Sequence, residues 1–156
     1  MKNKTRNNKS TCYTNPDGNK FWQDRKGQFH RKIGPAIEYA NANGDKAWRV
    51  NGKRHREDGP AVEYVNGHKE WWVNGRLHRR NGPAIEYTSG DKAWYIDGKR
   101  HREDGPAVEY ADGYPSADGC KEWWINDVQY HTEKEYWLKI YEMKLITKKE
   151  LFLKLL

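Results

Sequence analysis

His30, His55, His78, His101 and His131 recur along the chain at steps of 25, 23, 23 and 30 residues. Each of the first four is followed by an arginine (Arg31, Arg56, Arg79, Arg102), and seven residues beyond that arginine stands a glutamate (Glu38, Glu63, Glu86, Glu109). Imidazoles and carboxylates at this density are the materials of a metal centre or a general base. The spacing argues against both. If each copy adds two strands, equivalent histidines lie about 9–10 Å apart at roughly 4.8 Å per strand, whereas zinc needs its ligands within about 2.0–2.3 Å. Within a copy the arginine and the glutamate suit an ion-pair rung that fixes a connector against the next hairpin. His55, Arg56, Glu63, His78, Arg79, Glu86, His101, Arg102 and Glu109 are therefore read as structural rungs. The chain holds no Gly-x-Ser-x-Gly, glycine-rich phosphate loop, Cys-x-x-Cys or His-Glu-x-x-His. The sequence predicts no catalytic residue, no metal, no cofactor and no enzyme.

The elements that must position these residues are repeats. His-Arg-x-x-Gly-Pro-Ala-Ile/Val-Glu-Tyr, a short turn, Lys-x-Trp-x-x-Asn/Asp-Gly and a return to His-Arg is written four times, behind a worn copy that begins near Tyr13. A fixed period in this range means stacked supersecondary units, none of which buries its apolar face alone. In the copy from His55, Pro60 opens a strand, Asn66-Gly67 makes a reverse turn, and Lys69 to Val73 reads as a second strand that ends at Asn74-Gly75. Alternation along the strands puts Ile37/Tyr39, Val62/Tyr64, Ile85/Tyr87 and Val108/Tyr110 on one face. Trp48/Val50, Trp71/Val73, Trp94/Ile96 and Trp123/Ile125 are assigned to that same face as a buried aromatic stripe. After His131 the period becomes helical. Thr132-Glu133-Lys134-Glu135 has capping-box form, and Tyr136, Trp137, Ile140, Tyr141 and Leu145 predict an amphipathic helix to about Ile146. The apolar segment 151–156 packs on this cap or forms a contact patch.

The expected fold is mainly β: stacked hairpin repeats in a single twisted antiparallel sheet with a C-terminal capping α-helix. Residues 1–10 form a basic tail, 11–131 the repeats and 132–156 the helix and apolar tail. Hydrophobic residues make up 35% of the 156-residue chain and mean hydropathy is −1.23, lean for a core, so eight Trp and ten Tyr must supply buried area. The net charge of +7 sits at the ends: residues 1–10 carry four basic side chains, residues 144–156 four against one glutamate, and residues 11–143 hold 21 of each sign. That balance weakens the nucleic-acid reading that a pI of 9.3 invites. Residues 1–10 lack an apolar signal core, no run reaches the roughly 18 apolar residues of a membrane span, and Cys12 and Cys120 fall at opposite ends of the array, so no disulfide and a cytoplasmic location are expected.

A 23-residue period, one hairpin per unit, and Gly-x-Lys-x-Trp followed by Asn-Gly resemble the MORN repeat, and more closely its variants in small bacterial and bacteriophage proteins. The resemblance covers residues 11–131, with Gly-Pro-Ala standing where the family has Gly-x-Gly. It implies a twisted single-layer sheet of stacked hairpins and associations of the scaffolding, lipid or protein-contact kind. The residues that vary between copies carry the functional expectation. Arg49, Trp72, Tyr95 and Trp124, one per copy, are expected on the face opposite the aromatic stripe, and Lys53, Arg54, Arg76, Lys99 and Arg100 form a basic edge. Trp, Tyr and Arg dominate binding hot spots, so the leading expectation is a non-enzymatic scaffold that docks a protein partner. In light of the resemblance this would be a phage factor acting in the host cytoplasm on a host defence protein. The alternative is a phosphate-bearing nucleotide signal or a nucleic acid, held by stacking and charge. A homo-oligomer stays open, and membrane binding by the C-terminal segment is the weakest option.

Overall fold

The computed structural model describes residues 10–40, 44–111 and 121–156. The fold is mainly β: an eleven-stranded antiparallel sheet of successive hairpins, smaller two-stranded hairpins and two helices. The chain divides into two compact units, Met1–Arg76 and Leu77–Leu156.

The first unit holds β1 (Thr11–Thr14), β2 (Lys20–Gln23), β3 (Ile37–Glu38), β4 (Lys46–Ala47), β5 (Arg49–Val50), β6 (Lys53–Arg54), β7 (Val62–Glu63), β8 (Lys69–Glu70), β9 (Trp72–Val73) and β10, which starts at Arg76. The worn copy makes the longest pairing here, from Thr11 opposite Gln23 to Thr14 opposite Lys20. Register then runs Phe21–Ile37, Ile37–Ala47, Ala47–Val62 and Val62–Glu70 on one face, with Lys20–Glu38, Glu38–Lys46, Lys46–Glu63 and Glu63–Lys69 alternating in charge on the other.

The second strand of each copy is not continuous. At Trp48 the backbone changes partner: its N–H donates to the Ala61 carbonyl at 2.8 Å, while its carbonyl accepts from the His55 N–H at 3.1 Å. Beyond that switch β5 leaves the long sheet and pairs with β6, Arg49 opposite Arg54. The expected single strand Lys69–Val73 is likewise two, β8 and β9, broken at Trp71. What the sequence reads as a connector is half of a second hairpin. Its two-residue turn has Asn51 and Gly52 at φ 51° and 78°, the mirror-image geometry that matches strand twist. Asn66-Gly67 is a different turn, a three-residue loop closed by the Tyr64 N–H on the His68 carbonyl at 3.0 Å, with only the glycine at positive φ.

The second unit repeats this pattern in β11 (Ile85–Glu86), β12 (Lys92–Ala93), β13 (Tyr95–Ile96), β14 (Lys99–Arg100) and β15 (Val108–Glu109), and closes with β16 (Lys121–Ile125) and β17 (Val128–Tyr130). Ile85 faces Ala93, Ala93 faces Val108, and Val108 faces Glu122. Helix α1 (Glu133–Glu142) opens on the Thr132/Glu135 capping box. It ends earlier than the expected Ile146, because Lys144 takes φ 58° and the Leu145 N–H turns back to the Ile140 carbonyl at 3.2 Å, a left-handed helix stop. A second capping box, Thr147/Glu150, then opens α2 (Lys148–Lys154). Ile125, Tyr136, Trp137 and Ile140 form a buried cluster, with Trp123, Tyr130 and Leu151 packed on it. Phe152, Leu153, Leu155 and Leu156 stay exposed. Among the described residues no helix is long and apolar enough to cross a membrane.

The buried set corrects the expected aromatic stripe. Within the repeats the buried apolar side chains are Ala36, Ile37, Ala47, Ala61, Val62, Ala84, Ile85, Ala93, Ala107, Val108 and Ile125; Tyr39 and Tyr87 are exposed, and Trp48, Trp71, Trp94 and Trp123 half-buried. Small and β-branched residues are buried beneath large ones that remain partly wet.

Candidate functional site

Two faces with different chemistry follow from the register. On the charged face each repeat arginine is held in the same way. Arg56 donates from Nη1 to the Pro60 carbonyl at 3.1 Å and to Glu63 Oε1 at 2.8 Å, and its guanidinium carbon lies 4.0 Å from the Trp48 ring centre. Arg31 repeats this with Pro35, Glu38 and Trp22, and Arg102 with Pro106, Glu109 and Trp94. Arg79 reaches Pro83 and Glu86 at 3.0 and 2.7 Å. The glycine of each Gly-Pro-Ala leaves room for the guanidinium: a Cβ on Gly59 would come within 2.8 Å of Arg56 Cζ. Burial works against the charge of Arg102, but its bonds to Asp104 and Glu109 outweigh it and raise the pKa.

The histidines serve the turns. His30 Nδ1 accepts the Asn51 N–H at 3.1 Å, His55 Nδ1 that of Asn74 at 3.1 Å, and His78 Nδ1 that of Asp97 at 3.2 Å. Each imidazole thus satisfies an amide at a left-handed turn residue. At the end of the array the turn is Asn126-Asp127, and His101 Nδ1 is buried with no partner among the described residues. His131 is exposed and gives its N–H to Glu135 at the helix start.

On the other face the residues that vary between copies are gathered. Arg49, Trp72, Tyr95 and Trp124 lie on the side of Ile37, Val62, Ile85 and Val108, not opposite them. In the second unit Tyr95, Tyr110 and Trp124 pack directly on the Ile85, Ala93 and Val108 cluster. The expected facing slips by one residue along the second strand, and with a period of two that slip moves the whole row to the other side. The basic edge divides. Arg54 folds inward, 3.0 Å from Glu70 Oε2 and with its guanidinium 4.9 Å from the Trp72 ring centre. Arg100 lies 4.8 Å from that of Trp124 and donates from Nε to the Tyr95 hydroxyl at 3.2 Å, a bond that raises its pKa. Lys53, Arg76 and Lys99 remain exposed. Glu70 and Glu122 each accept an indole N–H at 2.8 Å, from Trp72 and Trp124. Sequence reasoning did not single out these two carboxylates. The signal was present, since Lys-Glu-Trp-Trp stands at 69–72 and 121–124 where the copies at 46–48 and 92–94 have Lys-Ala-Trp.

Among the described residues no three His, Cys, Asp or Glu side chains converge as metal ligands. Cys12 is exposed and free; Cys120, and with it the disulfide question, lies outside the described residues, as do residues 1–9 of the basic tail. No protein-family model matches the chain, and no curated protein matches it in sequence.

Proposed function

We propose that the chain is a non-enzymatic binding module of the MORN-variant type, whose arginine and aromatic face docks a protein partner. The observation that carries this reading is the immobilised indole. Trp72 and Trp124 are each held by a carboxylate at the ring nitrogen and an arginine over the ring, so little side-chain freedom is left to lose on association. Preorganised Trp, Tyr and Arg side chains are the usual carriers of interface energy. The near-neutral charge of the repeats suits a protein surface better than a polyanion. The resemblance to phage-encoded repeat proteins suggests a host defence protein as the target.

A test is capture of the partner from host lysate on the immobilised full chain, with mass spectrometry of the bound proteins. Trp72→Ala and Trp124→Ala should each weaken capture at least tenfold, while Lys92→Ala, on the charged face, leaves it unchanged. Capture insensitive to both tryptophans excludes this face as the docking surface. A second reading, retention of a phosphate-bearing nucleotide or nucleic acid, is favoured by one residue, Arg49.

A further inference from the structure

We infer that the cavity beside Arg49 is a binding site for a small oxyanion, a phosphate monoester or a carboxylate, borne on a flat apolar body. The inference deepens the second reading above, and its probes carry no base, so failure of nucleotide binding and failure of the site are separately visible. The cavity, about 290 Å³, lies within the first unit. It is lined by the apolar Ile37, Ala47 and Val62, by Tyr39 and Tyr64, by the cations Lys46, Arg49 and Arg54, and by one carboxylate, Asp45, so cations outnumber anions three to one. The volume and apolar lining suit one ring, and two tyrosines can contact its faces.

The two arginines are in different states. Arg54 is neutralised by Glu70 at 3.0 Å. Arg49 has no carboxylate within ion-pair distance among the described residues. Its Nη1 donates to the Gly52 carbonyl at 3.0 Å, and its Nε is buried with no partner among the described residues. Burial and the facing charge of Arg54 both act to lower its pKa, with Tyr39 acting against them, and its guanidinium lies 5.8 Å from the Phe29 ring centre. Like charges directly across a strand pair are destabilising, and Arg49 faces Arg54 across the hairpin. An oxyanion seated in the cavity would offset the Arg49 charge, a pairing for which guanidinium is suited.

The chain supplies its own control. Residues 53–64 recur without change as 99–110, and Asp45-Lys46-Ala47-Trp48 recurs as Asp91-Lys92-Ala93-Trp94. In that sister copy the arginine's place is taken by Tyr95, whose hydroxyl accepts from Arg100 Nε at 3.2 Å. Tyrosine thus completes the position from within the fold, whereas arginine brings to the cavity a charge with no carboxylate in ion-pair distance among the described residues.

The experiment follows side-chain Nε–H resonances in ¹⁵N NMR of the full chain during titration with inorganic phosphate, phenyl phosphate and benzoate. The Arg49 Nε–H signal should shift saturably, and phenyl phosphate or benzoate should bind at least tenfold more tightly than inorganic phosphate; which of the two does so assigns the head group. Arg49→Tyr, which installs the sister copy's residue, should keep the amide spectrum and melting temperature and lose binding at least tenfold. Tyr95→Arg should raise the stoichiometry from one to two. No saturable shift with any probe, binding retained in Arg49→Tyr, or a stoichiometry of one in Tyr95→Arg overturns the site.

Discussion

At the scale of single residues, the arginine of each repeat is the best-determined side chain. Arg56 is stacked on Trp48, bonded to Glu63 and to a carbonyl, and so close to Gly59 that a Cβ there would force the guanidinium to shift. Gly59 does not need left-handed freedom, since it has no positive φ; its requirement is space alone. Gly59→Ala should therefore cost about 1–2 kcal/mol in denaturant unfolding, by pushing the guanidinium off Trp48 and Glu63. In an Arg56→Ala background the same glycine substitution should cost little, because the clashing group is gone. A double-mutant cycle with coupling near zero would refute the steric account. The pairing of Arg56 with Glu63 could be read from their constant seven-residue step. The stack on Trp48 could not, because the tryptophan belongs to the preceding copy and changes backbone partners at that very residue. Alternation survives the switch, since Ala47 and Arg49 share the Ile37 face; the count that starts by putting Trp48 on that face assigns Arg49, Trp72, Tyr95 and Trp124 to the wrong one. Period, hairpins and turn sites were legible because Asn-Gly, Gly-Pro and β-branched residues act locally. Which face met which depended on hydrogen bonds between copies.

At the scale of elements, α1 caps the second unit through one buried phenol as well as through apolar contact. Tyr136 is 0% exposed; its hydroxyl donates to the Arg102 carbonyl at 2.7 Å and accepts the Gly105 N–H at 3.2 Å. The helix is thereby tied to the rung of the last intact copy. Tyr136→Phe leaves the buried Gly105 N–H and the half-buried Arg102 carbonyl without that partner and should destabilise by about 1–3 kcal/mol. Burial also pushes the Tyr136 pKa well above the ordinary phenol value of 10.0. The folded state therefore disfavours phenolate, and the stability this contributes is fully present below pH 10 and is lost as pH rises beyond it. Thermal melts from pH 8 to 11 should show a steeper alkaline decline in the wild type than in Tyr136→Phe, and parallel declines would contradict the assignment. The extent of this cap was only half legible. The Thr132 capping box marked its start, but its stop rests on Lys144 in a left-handed conformation that a lysine does not advertise, and Thr147-Lys148-Lys149-Glu150 was the unread signature of a second helix.

At the scale of the whole molecule, the charge divides two kinds of binding that a single affinity measurement would merge. Residues 11–143 carry 21 basic and 21 acidic side chains, and the excess lies in Lys2, Lys4, Arg6 and Lys9 at one end and in residues 144–156 at the other. Non-specific attraction to a polyanion scales with the phosphates neutralised and weakens linearly in log salt, with a slope near 0.7 per contact on a single strand. A pocket centred on Arg49 contributes one contact of this kind; the four basic residues at the start of the chain contribute up to four. Deleting residues 1–9 should therefore lower the salt slope of single-stranded DNA binding by about 2 to 3, measured by fluorescence anisotropy between 50 and 200 mM salt. The same deletion should leave the Arg49 response to phenyl phosphate or benzoate intact, because the cavity's lining among the described residues runs from Ile37 to Tyr64. An unchanged salt slope would place polyanion binding on the repeats themselves, and would then require a basic stripe that their paired arginines and alternating Lys–Glu register do not provide.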